Sequence, residues 1–364
     1  MPGSLDTGTP PTQRTERPPS TGYISVEMRA CVGRDLDRRV SYPITASDIR
    51  RWAVAAYYPE LPPRRFWAVP YGPADSGGPA APEDFNPFAW LVAEPAGPPP
   101  SLRDPEEVLG IPGPDAPVRL RGGMSVEYGV PMRASDVITS VRRLGSYDER
   151  SGRRGLMLLT TIADTWTNQR GELVKTFEFT FIRFAKTTPQ DADPRPSDQK
   201  DSALRETSAE LPSRSANFAD SRVPPVGTEI PAFQRVTGPA NWNRDAAVND
   251  EFVAIHMEDE AGRAAGAPGA FGMGNLQWAY LHNMLRDWVG EESGRIAAAS
   301  CQFRGLNLKD EIVSAHGRVA GVRADGGKLL VDLDLWTQVQ DGRILAKGTA
   351  TVALPDSSPA ATEV

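Results

Sequence analysis

The chain has 364 residues, 40% hydrophobic and 24% charged, which suffices for one large or two ordinary domains with a buried core. Its formal net charge of -7 argues against a nucleic-acid partner, which would call for a basic patch. The two cysteines, Cys31 and Cys301, give neither a disulfide framework nor a metal-ligand spacing, and the pattern is that of reduced thiols in a cytoplasmic protein. Residues 1–22 carry no signal-peptide pattern, and no run approaches the roughly 18–20 apolar residues of a membrane span.

In chain order, residues 1–22 are rich in Pro, Thr and Ser and read as a disordered tail. A first unit spans 23–185. Its helix is expected from Ala46 or Ser47 to Tyr58, capped by Thr45 or Ser47, with Asp48 in the first turn. Ile49, Trp52, Ala53 and Ala56 share one face, and Pro59 stops it. Glu60 to Pro100 is crowded with Pro and Gly and reads as loops around the apolar segment Phe85 to Val92. From Met124 the pattern changes to strands, ending in the period-two run Leu173 to Ile182. Residues 186–227 read as an extended linker, 228–355 as a second unit and 356–364 as a tail.

The second unit echoes the first. Phe303 to Ser314 resembles Tyr128 to Thr139, and Trp336 to Ala346 resembles Trp166 to Lys175, at offsets of about 170 to 175 positions. Either match alone is generic, but two in the same order point to duplication, with Trp166 and Trp336 at matching core positions of a strand. A helix is expected from Gly274 to Val289. Leu281, Met284, Leu285 and Trp288 recur at helical spacing, and Leu276, Trp278, Ala279 and Tyr280 make it apolar nearly all round, as in a buried helix wrapped by a sheet.

Just before that helix, Val248 to Asp259 puts Asp250, Glu251 and His256 within seven residues, and the Gly-rich turn Phe271-Gly-Met-Gly follows. A carboxylate, a histidine and a helix N-terminus are the parts needed to add water to an activated carbonyl compound, or to remove it. A lone His beside acidic residues is more often a hydrogen-bonded loop residue than a catalyst, so the spacing does not decide the matter. His282, inside the apolar helix, reads as structural, and His316 as a solvent-side strand residue.

These residues resemble the MaoC-like dehydratases, or (R)-specific enoyl-CoA hydratases, in their double-hotdog form. That family's motif runs approximately Asp-x-Asn-Pro-Ile-His-x-Asp, then small residues, then a Gly-containing turn into a central helix. Here Glu251 stands at the Asp position, five residues before His256, and Val253-Ala254 replaces Asn-Pro. Asp250 is one residue out of register. Ala261 to Gly269 matches the small-residue segment and Phe271-Gly272-Met273 the helix entry, while Asp48 to Trp52 and Ala81 to Phe88 are similar to the family's non-catalytic N-terminal half.

The resemblance implies an α+β double hotdog, each half a long central helix wrapped by an antiparallel sheet, with one surviving site in the second half. It implies hydration or dehydration of 2-enoyl or 3-hydroxyacyl thioesters, with a bulky acyl group carried on CoA or acyl carrier protein, and with neither cofactor nor metal. His256 with Glu251 or Asp250 would hold the water, and the backbone N–H groups of Gly272 and Met273 would stabilise the thioester oxyanion. Hotdog units generally pair, here within one chain, and a homodimer of double hotdogs is compatible with this. Two other readings stay open. One is a non-catalytic acyl-thioester-binding subunit. The other is a hotdog thioesterase, although that chemistry usually puts a carboxylate on the central helix, and residues 274–286 have none.

Overall fold

The computed structural model describes residues 22–68, 79–92, 103–152, 155–185, 225–290, 294–325 and 328–355. The expected tails and nearly all of the expected linker lie outside the described residues. The first half comprises α1 (Val26–Ala30), β1 (Asp35–Val40), α2 (Ala46–Tyr57), α3 (Pro105–Leu109), β2 (Val118–Tyr128), β3 (Thr139–Gly152), β4 (Gly155–Thr167) and β5 (Leu173–Phe184). The second comprises β6 (Glu229–Val236), α4 (Pro239–Asn249), α5 (Ala254–Met257), α6 (Asp259–Ala264), α7 (Gly274–Val289), β7 (Arg295–Phe303), β8 (Ile312–Asp325), β9 (Lys328–Val339) and β10 (Ile344–Pro355). No helix among the described residues is long and apolar enough to cross a membrane.

All ten strands form one antiparallel sheet in the order β1-β3-β4-β5-β2-β7-β10-β9-β8-β6. From either edge to the centre the halves have the same order, and they meet where Ser125 of β2 faces Ser300 of β7. The duplication reaches individual hydrogen bonds. Ser135 and Asp310 both take a left-handed conformation, at φ 73° and 65°. Arg133 N–H donates to Asp136 Oδ2 at 2.8 Å, and Leu308 N–H to Glu311 Oε2 at 2.7 Å. Val137 N–H donates to Gln169 Oε1, as Ile312 N–H does to Gln340 Oε1. These pairs correct one expectation. Gln169 corresponds to Gln340, so the strand counterpart of Trp166 is Thr337. Trp166 faces inward over Lys175, whereas Trp336 lies on the other face, stacked on His316 at 5.1 Å. The period of a strand is two, so a one-residue slip moves a side chain to the opposite side of the sheet.

The helices follow their local signals. Thr45 and Asp48 form a reciprocal capping box on α2, and Ile49, Trp52, Ala53 and Ala56 are all buried. Helix α7 runs from Gly274 to Val289, stops at Gly290 with φ 75°, and buries twelve of its sixteen residues. Strands β6 to β10 all pack on it. Burying its Leu281, Met284 and Leu285 contributes about 1.5–3 kcal/mol each.

The halves differ in what fills their concave faces. Phe271 bridges Leu308 just before α7, and Ala80 bridges Arg133 at the matching place. Gly272 N–H donates to the Asn307 carbonyl, and Ala81 N–H to the Met132 carbonyl. Beyond Ala81 the chain makes turns over residues 83–90 where the second half starts α7. Helix α2 packs on α4 and α7 instead. Among the described residues, therefore, only the second half encloses a long helix.

Candidate active site

His256 lies on α5, a single turn between the end of α4 and the entry to α7. Its Nδ1 is 2.7 Å from the Phe271 carbonyl oxygen, which can only accept, so Nδ1 carries the proton. Nε2 keeps its lone pair and has no hydrogen-bond partner among the described residues. Burial lowers the pKa of His256 below the ordinary 6.5, Arg121 adds to this, and the Phe271 carbonyl and Glu251 oppose it only in part. The imidazole is therefore neutral at pH 7 and able to accept a proton.

Glu251 is half-buried, and Asn275 in the first turn of α7 donates to its Oε2 through Nδ2. An anion near a helix N-terminus is favoured by the dipole. Glu251 is also the carboxylate whose charge reaches His256. Asp250 is not brought to the histidine. It is the left-handed C-cap of α4, at φ 53°, and is exposed.

Gly272 N–H donates both to the Asn307 carbonyl, at 2.9 Å, and to Asn307 Oδ1, at 2.8 Å. That takes it out of the oxyanion role expected for it. Its lack of a side chain has a packing cause, since a Cβ would stand 2.0 Å from Asn307 Oδ1. Met273 is the fully buried N-cap residue of α7, and it offers no side-chain hydrogen bond to the helix. The first-turn N–H groups, from Gly274 onward, are left as the donors at this end of the helix.

Sequence reasoning missed Asn275, Arg121 and Asp245. Asp245 had a signal: it shares the stripe Asn241, Trp242, Ala246 on α4, and all four are buried. Its Oδ1 accepts from Asn249 at 3.1 Å, and its Oδ2 has no partner among the described residues. Burial, then Glu251 and Asp84, push its pKa well above the usual carboxylate value. A raised folded-state pKa means that stability is fully present below the unfolded value and is lost as pH climbs through the folded one. Asp245→Asn is therefore expected to gain in melting temperature over the wild type progressively from pH 4 to pH 8. A difference independent of pH would show that Asp245 is ionised in the folded protein.

The other two histidines serve structure. His282 is buried, with Nδ1 donating to the Trp278 carbonyl and Nε2 accepting from the Tyr128 hydroxyl at 2.8 Å. His316 packs on Trp336, half-buried. Both cysteines are free and buried.

Two five-stranded units fused edge to edge at β2 and β7, with a buried helix in the second, define the class: a double hotdog. Residues 30–177 match the family model described as FAS1-like, dehydratase domain region. Among solved structures, one described as a MaoC-like dehydratase is similar at TM-score 0.65 and 18% identity, covering 92% of this chain and 100% of its own. A MaoC-like dehydratase from Phytophthora capsici gives 0.58 and 15%, with 92% and 99% covered. A Mycobacterium tuberculosis protein described as having a double hotdog fold gives 0.50 and 12%, with 89% and 96% covered. A comparison with curated proteins finds no match. The chain resembles the MaoC-like dehydratases in their double-hotdog form.

Proposed function

We propose that the protein hydrates 2-enoyl thioesters, or dehydrates 3-hydroxyacyl thioesters, at His256 and Glu251 in its second half. The observation that carries this reading is the Nδ1 contact to Phe271, which leaves a neutral Nε2 beside a carboxylate tethered to the start of α7. Nε2 and the Glu251 carboxylate hold one water between them. One of the two takes a proton from the water as its oxygen bonds to C3. The electron pair of the double bond shifts toward C2 and the thioester oxygen, and C2 then takes a proton from the catalytic pair. The first-turn N–H groups of α7, from Gly274 onward, stabilise the oxygen as it gains charge, a term of about 3–4 kcal/mol where such donors are preorganised. The first half supplies no second site and instead gives room to a bulky acyl group on CoA or acyl carrier protein. By the family resemblance the product is the (R)-3-hydroxyacyl thioester.

The test is incubation of the purified protein with trans-2-enoyl-CoAs of graded size. Loss of the conjugated enoyl absorbance and formation of the (R)-alcohol are expected. Release of free CoA thiol without hydration, or no reaction across the whole panel by folded protein, would overturn the reading.

A further inference from the structure

The concave face of the first half is charged where that of the second is apolar. Matching the halves by strand register places Arg39, Arg121, Arg142 and Asp164 where the second half has Phe233, Ile296, Gly317 and Leu335. The second set closes around α7. A Cβ at Gly317 would lie 3.0 Å from Ile230 Cδ1 of β6 and 3.2 Å from Met284 Cε of α7. The first set faces no long helix among the described residues. Instead a small cleft opens between β1, α3 and the inner sides of β3 to β5, lined among others by Asp37, Arg119, Arg142, Ile162, Phe179 and Phe181.

The charges there do not balance. Asp164 is buried and serves two guanidiniums, Arg39 and Arg142, each at 3.3 Å, while its other oxygen accepts from Ser140 at 2.6 Å. Asp37 lies 3.4 Å from Arg39, and Arg119 reaches Asp104 at 3.4 Å. Arg121 has no carboxylate partner among the described residues. Its guanidinium contacts Met124 Sδ at 3.8 Å and sits over the rings of Phe179 and Phe181 at 5.9 and 5.8 Å. The guanidiniums also press on one another: burial first, then neighbouring arginines, lower the pKa of both Arg39 and Arg119.

Arg121 is also within electrostatic reach of His256. Two positions along β2, Gly123 pairs with Gln302, and the ring of the next residue, Phe303, lies 3.0 Å from the Cβ position of Gly274 at the start of α7. A half-buried guanidinium on an aromatic floor, with no carboxylate partner among the described residues, is a seat for a planar anion.

We propose that this face is an acyl subsite for an anion: the acyl group of the substrate ends in a carboxylate, which Arg121 binds with Arg142 beside it. The proposal rests on the thioester reading above. Its test compares CoA thioesters matched in chain length, one ending in a methyl group and one in a carboxylate, in two assays. One is hydration of the trans-2-enoyl forms. The other is direct binding of the saturated forms by calorimetry, which needs no turnover. Arg121→Met removes no carboxylate's partner, so it is expected to fold. It should lower the carboxyl-to-methyl ratio, in kcat/KM and in affinity alike, about 10- to 100-fold, the range of a charged hydrogen bond. Arg121→Lys should restore part of that ratio. A wild type with no carboxylate preference, or a ratio unchanged in Arg121→Met, overturns the subsite. Selective binding without turnover would sink the hydratase reading and leave the subsite standing, whereas hydration of the methyl-ended series alone would do the reverse.

Discussion

His256→Ala is expected to lower kcat for hydration by about a hundred- to ten-thousandfold, the usual worth of a positioned proton-transfer group, with the fold intact. The residue is half-buried on a one-turn helix, and its side chain makes one hydrogen bond, to the Phe271 carbonyl. Removing it costs about 1 kcal/mol of stability, a small shift in melting temperature. Catalytic loss and thermal loss are therefore separable, and a variant that turned over normally would remove His256 from the mechanism. The pH profile gives an independent check. With the His256 pKa lowered by burial and by Arg121, kcat/KM should stay level down through pH 6.5 and fall only below it, as the imidazole is protonated. A fall beginning above pH 7 would point to a different base.

Arg286→Met should be the most destabilising single change, by about 3–5 kcal/mol, because it strands two carboxylates that the guanidinium now holds. Arg286 sits buried near the end of α7. Its Nε donates to Glu83 at 2.8 Å, its Nη2 to Asp84, and its Nη1 to Asn283 at 2.7 Å. Burial works against charge on Arg286 and Glu83, but the two acids keep Arg286 protonated, and Arg286 holds Glu83 below the usual carboxylate range. The folded-state pKa of Glu83 is lowered, so its stabilising contribution is present above about 4.5 and fades as pH falls through the folded value. The gap between wild type and Arg286→Met in urea denaturation should thus be wide at pH 7 and narrow toward pH 4. An equal gap at both pH values would show that lost packing, and not the stranded acids, accounts for the damage. The same network ties the halves together, with Asn283 donating to the Ala56 carbonyl and Tyr57 to Asp287. Arg286→Met should therefore also loosen the 81–90 turns that flank the site.

Much of this was legible from local pattern. The apolar stripe predicted α7 from Gly274 to Val289, and Thr45 with Asp48 predicted α2, because helix periodicity and capping are interactions of near neighbours. The two repeated turns were visible because each needs a left-handed residue and an acidic side chain at set places. The Glu251 to His256 spacing marked the loop, but not its chemistry.

By itself, then, the sequence determined helices α2 and α7, several of the strands, the duplication and the loop that carries the candidate site, all of which rest on short-range periodicity and backbone preference. The tertiary structure alone decided three things. It set Trp166 and Trp336 on opposite faces, since strand register comes from pairing across the sheet. It gave Gly272 N–H to Asn307 and left Glu251 to Asn275, contacts between segments 35 and 24 residues apart. And it left the first half's inward arginines with no long helix over them among the described residues, because the segment matching the start of α7 turns away to bind Arg286 some 202 positions later.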